Sequence, residues 1–207
     1  MIVAVFGATG GTGRHVVEQA LAQGHTIRAL VRDPARLAGL AAGNEALILI
    51  PGDVREPQPV ADCVQGSEAV ICVLGTRGAA TPVEAAGTAQ ILAAMQAQGV
   101  RRLIAVTSMG VGDSIGQVPA FFRVLMRLTL KQIMAAKEEQ ETLIRASGLD
   151  WTIVRPGGLT DGAPTGQYQS GTDRAIKATR VARADVAEFV VRQLNDQQYL
   201  HQTPAIS

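Results

Sequence analysis

Short apolar runs recur along the chain, each followed by a segment whose apolar positions repeat at helical spacing. Ile2 to Phe6, Thr26 to Val31, Ala46 to Ile50, Ala69 to Leu74, Leu103 to Val106 and Trp151 to Val154 are short, rich in β-branched residues and largely apolar on both faces. Strands of a parallel sheet covered by helices on either side have this pattern. Between them, Gly11 to Gln23 places Val16, Val17, Ala20 and Leu21 on one face and closes at Gly24, and Pro82 to Gln98 carries Ile91, Leu92 and Met95 and closes at Gly99. A glycine just past the last turn supplies the left-handed residue that ends many helices. One long helix is predicted from about Pro119 to Ala146, ending near Gly148, and a last one from Asp185 to Leu194.

Strand and helix in steady alternation mean βαβ units with right-handed crossovers, that is, an α/β fold of the doubly wound, Rossmann type. The segment from Thr160 to Thr172 is rich in Gly, Thr and Gln and reads as a loop, with a short strand over Gln167 to Gln169. There is no internal repeat, low-complexity tract or linker. The 207 residues suit one domain, 1–207, with substrate-side elements mainly in 110–180.

Composition narrows the function classes. The chain is 47% hydrophobic, enough for a sizeable core, and its 19 Lys and Arg balance 18 Asp and Glu. That balance argues against general nucleic-acid binding, which needs a basic excess. The apolar N-terminus has no basic leader and runs at once into glycines, so a first strand is expected rather than a secretory signal. No apolar stretch reaches the length of a membrane span. Cys63 and Cys72, with His15, His25 and His201, match no metal-ligand spacing, so no metal is expected, and a reducing cytoplasm is the simplest setting.

The strongest chemical signal is Gly7-Ala8-Thr9-Gly10-Gly11-Thr12-Gly13, directly after the first strand and opening the first helix. A dinucleotide pyrophosphate needs a sharp turn and bare backbone there, and glycine permits both. The first-turn N–H groups and the helix dipole then favour the phosphate charge. The spacing G-x-x-G-x-x-G differs from the common G-x-G-x-x-G, and no Lys follows for a nucleoside-triphosphate loop.

The second strand ends in Leu30-Val31-Arg32-Asp33-Pro34. NAD sites usually place an acid about 20 residues beyond the loop, on the ribose hydroxyls. Arg32 stands in that place and suits the 2′-phosphate of NADPH, with Arg36 as a helper. Asp33 either turns inward as a ribose acid or starts a turn with Pro34. After the third strand, Asp53 and Val54 are placed to meet the adenine, or Asp53 caps the next helix. After the fourth, Leu74-Gly75-Thr76-Arg77 lets backbone approach the cofactor, while Arg77 meets the diphosphate, an acidic substrate or only solvent. Thr107-Ser108-Met109 ends the fifth strand beside the expected nicotinamide, where Ser108 is the candidate catalytic side chain. It orients the carboxamide or hydrogen-bonds the acceptor, and no His or Asp pattern makes it a nucleophile. Phe121, Phe122, Leu125, Met126 and Leu128 with Arg123, Arg127 and Lys131 read either as a core helix with a solvated face or as an apolar substrate wall with a basic rim. Membrane-surface docking is a third, weaker reading of the same stretch.

Phe6-Gly7-Ala8-Thr9-Gly10, Leu30-Val31-Arg32-Asp33, Gly52-Asp53-Val54, Leu74-Gly75-Thr76-Arg77, Thr107-Ser108 and Ser147-Gly148-Leu149 together resemble the atypical short-chain dehydrogenase/reductases, and more narrowly the biliverdin-IXβ reductase/flavin reductase group. The resemblance spans nearly the whole chain and is looser after about Gly110. It implies NADPH-dependent reduction of a flavin or an open-chain tetrapyrrole by a monomer with an exposed nicotinamide. It implies cofactor contacts from Lys137, Pro156 and Gly157, and a substrate side that includes Gly158. The wider superfamily uses Tyr-x-x-x-Lys for acid catalysis. Here Lys137 matches the Lys, but Ile133 stands where the Tyr would be, as in the flavin-reductase group. Bilin-reducing members place a His near Gly158, which this chain lacks; that weighs against bilin more than against flavin. Two other readings share the missing Tyr: a non-catalytic dinucleotide sensor like the NmrA-type regulators, and an assembly factor.

Overall fold

The computed structural model describes residues 1–76 and 81–207, and the side chains of all of these except Phe122, Leu125, Met126 and Arg127. Arg77 lies outside the described residues, and so does the side chain of Phe122. The sheet is built from β1 (Ile2–Phe6), β2 (Thr26–Val31), β3 (Leu47–Pro51), β4 (Ala69–Cys72), β5 (Arg102–Val106) and β6 (Asp150–Pro156), in the spatial order 3-2-1-4-5-6 and all parallel. This is the doubly wound Rossmann order. Short strands β7 (Gly158–Thr160), β8 (Ser170–Gly171), β9 (Arg180–Ala182) and β10 (Ala205–Ile206) follow. β10 extends the sheet beside β6, β8 pairs antiparallel with β10, and β7 with β9 makes a separate two-stranded ribbon.

The two-sided burial follows from strand geometry. Successive side chains point to opposite faces, and here both faces are covered. Val3 and Val5 join the cluster under α1 (Gly11–Ala22) and α7 (Arg183–Arg192), while Ala4 and Phe6 join the cluster on the other face. That second face is covered by α3 (Pro57–Val64), α4 (Glu84–Gln98) and α6 (Lys131–Ala146). Ile71, Ile104 and Val154 repeat the first pattern, and Val70, Leu103 and Ile153 the second. A one-turn helix, α2 (Ala38–Ala41), and 3-10 turns at Pro34–Leu37 and Gly112–Gln117 fill connections. Among the described residues, no helix is long and apolar enough to cross a membrane.

Several expectations need correction. The single long helix is two, α5 (Ala120–Thr129) and α6, broken at Leu130, whose φ of −121° leaves the helical region. No proline or glycine marks that break, so the sequence hides it. The short strand falls at Ser170–Gly171 rather than at Gln167 to Gln169, because its partner is β10 from the far end of the chain. The last helix begins two residues earlier, at Arg183. α3 was not legible, being eight residues long with prolines at 57 and 59. On α5, the described apolar side chains of Phe121, Val124 and Leu128 are exposed rather than buried, and the helix packs on α6.

A buried ion-pair network ties the C-terminal side of the sheet together. Arg155 in β6 and Glu141 in α6 are 3% and 4% exposed. The guanidinium donates to both carboxylate oxygens, at 2.9 and 2.6 Å, and Thr107 at the end of β5 donates its hydroxyl to the same carboxylate at 2.7 Å. A third Arg155 nitrogen reaches Asp113 at 2.7 Å, which draws in the turn after β5; Arg174 holds the other Asp113 oxygen at 3.0 Å. Burying such charges is tolerated only when they are paired and hydrogen-bonded, and removing one partner leaves the other stranded. Among the described residues, Arg155→Ala leaves Glu141 one ion-pair partner, the half-exposed Arg145 at 3.3 Å, with Lys137 as a more distant cation. The expected loss is about 3–5 kcal/mol, read from the urea midpoint. A cost below about 1 kcal/mol, the value of an exposed pair, contradicts this account of the network.

Candidate active site

The strand order reverses between β1 and β4, the position where doubly wound sheets open a crevice at their C-terminal edge. A cleft of about 270 Å³ opens there. Its floor is Phe6, Gly7, Val73 and Leu74; one wall is Thr9 and Gly10, and the far rim is Arg32, Arg36 and Asp53.

The loop is shaped by three different glycine requirements. Gly7 has φ +89°, and a Cβ there would lie 2.3 Å from the Val73 carbonyl oxygen. Gly13 sits one turn into α1, where a Cβ would lie 2.0 Å from the Gly7 carbonyl oxygen. Gly10 is different. Its N–H donates to the Gly7 carbonyl at 2.9 Å, its backbone is extended (φ −74°, ψ 164°), and an added Cβ would meet only that carbonyl, at 3.2 Å. Gly7 and Gly13 therefore serve the packing of helix on strand, whereas a side chain on Gly10 meets only the Gly7 carbonyl, a close contact but not a clash. Gly10 is also the N-cap of α1 and offers no side-chain acceptor, and the first turn holds no acid. The N–H groups of Gly11, Thr12 and Gly13 are left for an anion.

Arg32 and Arg36 both line the cleft, both are exposed, and Arg32 makes no hydrogen bond or ion pair with a described residue. Arg36 reaches the Thr9 carbonyl at 3.4 Å. Asp33 turns away: its carboxylate accepts from the Ala35 N–H at 3.1 Å and caps the 3-10 turn. Asp53 accepts from the Arg55 backbone N–H at 2.9 Å and from two Arg55 guanidinium nitrogens at 2.8 Å. Those bonds hold its carboxyl well below the usual range, at about 2. It closes an Asx turn and leaves α3 uncapped by a side chain.

A buried carboxylate that the sequence reading missed fixes the rim after β4. Glu84, fully buried at the start of α4, accepts from the Thr76 N–H at 2.9 Å, the Thr76 hydroxyl at 2.7 Å and the Val83 N–H at 3.0 Å. Its only sequence signal is an acid in a helical first turn. Gly87, one turn on, lets α4 approach the cleft floor, since a Cβ there would lie 2.8 Å from both Leu74 and Val54.

The remaining candidates stand along the ends of β5 and β6, outside this cleft's lining. Thr107 is buried with its hydroxyl committed to Glu141. Ser108 is half-buried and donates to the Met109 carbonyl at 3.0 Å. The Met109 side chain is buried against Val118 and Ala205, and its N–H donates to the Pro156 carbonyl at 2.9 Å. Gly157 is required by packing: a Cβ there would lie 2.6 Å from the Thr179 carbonyl. Gly158 donates its N–H to that same carbonyl at 2.7 Å and opens β7. Lys137 is half-buried on α6, one turn before Glu141. Burial pushes its ammonium below the ordinary lysine value, against the pull of Glu84 and Glu141. Ile133 stands one turn earlier. Neither tyrosine is near: Tyr168 donates to Glu188 on α7 and Tyr199 is buried against Phe189. Phe121 is exposed on α5 and Arg123 half-buried; neither lines the cleft.

A family model described as NAD(P)H-binding matches residues 7–197. The uncharacterized chloroplastic protein At2g34460 of Arabidopsis thaliana is 36% identical over 203 residues, covering 93% of this chain and 71% of that protein. The photosystem II assembly factor Ycf39 of Cyanophora paradoxa is 30% identical, over 94% of this chain and 59% of that protein. Among solved structures, the anaerobillin reductase ChuY of Escherichia coli O157:H7 superposes with a TM-score of 0.84 at 27% identity, over 100% of this chain and 96% of that one.

The glycine geometry separates two substitutions that look alike in sequence. Gly13→Val drives a side chain into the Gly7 carbonyl and is expected to unfold the protein or shift its melting temperature down sharply. Gly10→Val, in an extended backbone that β-branched residues favour, is expected to melt within a few degrees of the parent. Equal melting temperatures for the two variants would overturn the assignment of roles.

Proposed function

The chain belongs to the NAD(P)H-binding family, and from that premise we propose that it is an NADPH-dependent reductase that passes hydride to a flavin or a related conjugated acceptor. The cleft suits the dinucleotide. The open first turn of α1 at Gly10 to Gly13 takes the pyrophosphate, and a side chain on Gly10 would occupy that space. Arg32 and Arg36 take the 2′-phosphate, and Asp33, turned onto Ala35, offers no competing carboxylate to a ribose hydroxyl. Asp53 and Val54 border the adenine end, and Leu74 to Thr76 border the ribose next to the nicotinamide. Lys137 contacts that ribose, Thr107 to Met109 with Pro156 and Gly157 line the nicotinamide side, and 110–180 supplies the acceptor side, including Phe121, Phe122, Arg123 and Gly158.

One observation carries the choice of acceptor: no tyrosine is available as an acid. Ile133 cannot donate a proton. Tyr168 is held by Glu188, with burial and that carboxylate pushing its pKa up, and Tyr199 is in the core. The bound nicotinamide supplies a hydride, and the protein positions it. Flavins and quinones stabilise the resulting anion themselves, so solvent suffices as the proton source, whereas a simple ketone needs a concerted acid. Ser108 orients the carboxamide or the acceptor. Its hydroxyl already donates to Met109, so it contributes mainly as an acceptor. A small-molecule acceptor, a cytoplasmic setting and a monomer complete this reading. The likeness to ChuY supports a conjugated, tetrapyrrole-like acceptor as the variant of it, although the chain has no histidine near Gly158.

The likeness to Ycf39 favours a second reading, in which the cofactor is held but not turned over and the protein serves as a sensor or assembly factor. Mixing the protein with NADPH and FMN and following the nicotinamide absorbance separates the two. Steady oxidation supports the reductase; tight binding without turnover supports the alternative.

Cofactor choice has its own test. Arg32→Ala is expected to weaken NADPH by about 1.5–3 kcal/mol, the value of a hydrogen bond to a charged group, and to leave NADH unchanged. Gly10→Val is expected to lose both dinucleotides while staying folded. Equal parental affinities for NADPH and NADH overturn the role given to Arg32.

For the chemistry, FMN is expected to be reduced and plain aliphatic ketones are not. Ser108→Ala is expected to slow turnover by about tenfold, roughly 1.4 kcal/mol of barrier. A loss of a hundredfold or more on Tyr168→Phe, the scale of a lost general acid, would show that the protein does provide one.

A further inference from the structure

The most exposed large apolar side chains of the fold sit on one helix. On α5, Phe121 and Leu128 are each 79% exposed and Val124 is 58% exposed. They fall at i, i+3 and i+7, one stripe of a helix. Exposed apolar residues scattered singly need no explanation, but a stripe on one element does. Along the chain, the charges on either side of it have one sign. Between Asp113 and Glu138 the sequence holds Arg123, Arg127, Lys131 and Lys137 and no carboxylate, in a chain whose formal net charge is only +1. Neither Arg123 nor Lys131 forms an ion pair with a described residue, whereas Arg14, Arg55, Arg101 and Arg183 elsewhere on the surface each hold a carboxylate.

From this stripe and its unpaired cations we propose that α5 docks the protein on an anionic lipid surface, lying in the plane of the interface with Phe121, Val124 and Leu128 inserted among the acyl chains. An exposed amphipathic helix with an apolar face and a basic flank binds in this way, by buried apolar area together with attraction to anionic headgroups. A second copy of the chain is the poorer occupant, because two such faces bring like charges together. An acidic protein would satisfy the charge, but none of the described clefts is lined by α5 to hold a defined segment. The docking needs no bound cofactor, and although Phe121 is also given to the acceptor side above, the test rests on Val124, Leu128 and Lys131, which the reductase reading does not name.

The test is cosedimentation of the full chain with vesicles of phosphatidylcholine alone and of phosphatidylcholine mixed equally with phosphatidylglycerol. Binding is expected only to the anionic vesicles and is expected to weaken with added salt. Leu128→Asp and Val124→Asp are expected to lower it by tenfold or more. Lys131→Gln is expected to lower it by roughly fivefold, the weight of one basic residue near a charged surface. These side chains are exposed, so circular dichroism should show each variant as folded as the parent. Sedimentation with neither vesicle, equal sedimentation with both, or undiminished binding by the folded Leu128→Asp variant overturns the proposal. So does a dimer in vesicle-free solution that Leu128→Asp dissociates, since α5 would then be covered by a second copy.

Discussion

The Gly7 carbonyl is the point on which the arrangement of the cleft depends. It accepts the Gly10 N–H at 2.9 Å, and a Cβ on Gly13 would lie 2.0 Å from it. Gly7 itself passes so close to Val73 that a side chain there is impossible. Three stretches of backbone, from β1, α1 and the end of β4, thus meet without an intervening side chain. The contact aims the unsatisfied end of α1 at the cleft, and it places Leu74 and Gly75 directly across from the loop. Helix-end N–H groups attract anions wherever they are exposed; here the close packing decides where they point.

On either side of the cofactor cleft the fold uses a buried carboxylate to hold backbone still. Glu84 binds Thr76 and Val83 and fixes the rim after β4, while Glu141 binds Thr107 and Arg155 and fixes the ends of β5 and β6. Lys137 stands under the influence of both. Preorganisation of this kind costs stability unless every charge is matched, and both acids have their hydrogen bonds. The same economy is visible in what is left out. Arg32 has no partner among the described residues, and the two tyrosines are committed to α7 and its neighbouring core.

The cleft and α5 follow opposite rules. Around the cleft, polar groups are satisfied and apolar ones covered, apart from the groups left open at the helix end and at Arg32. On α5, the described side chains of Phe121, Val124 and Leu128 remain in solvent, and Arg123 forms no ion pair with a described residue. Both departures mark surfaces where an external partner would complete what the protein leaves open: a phosphate-bearing ligand in one case and an anionic interface in the other.

Local sequence determined the part of the molecule whose causes are local. Strands apolar on both faces, the glycines of the first loop and the helix ends at Gly24, Gly99 and Gly148 each have causes within a few residues, and all were legible from the chain alone. What remained hidden depends on distant partners. β8 and β10 are two residues each and exist only because they pair with each other and with β6. Nothing local singles out Glu84 or Glu141; the fold brings Thr76, Thr107 and Arg155 to them. For α5, composition left a core helix and a substrate wall both open, because it records hydrophobicity and not which face of the sheet is already occupied. Gly10 and Gly13 are the same residue three positions apart. Only the packing of α1 on β1 makes one of them a structural necessity and leaves the other facing open space.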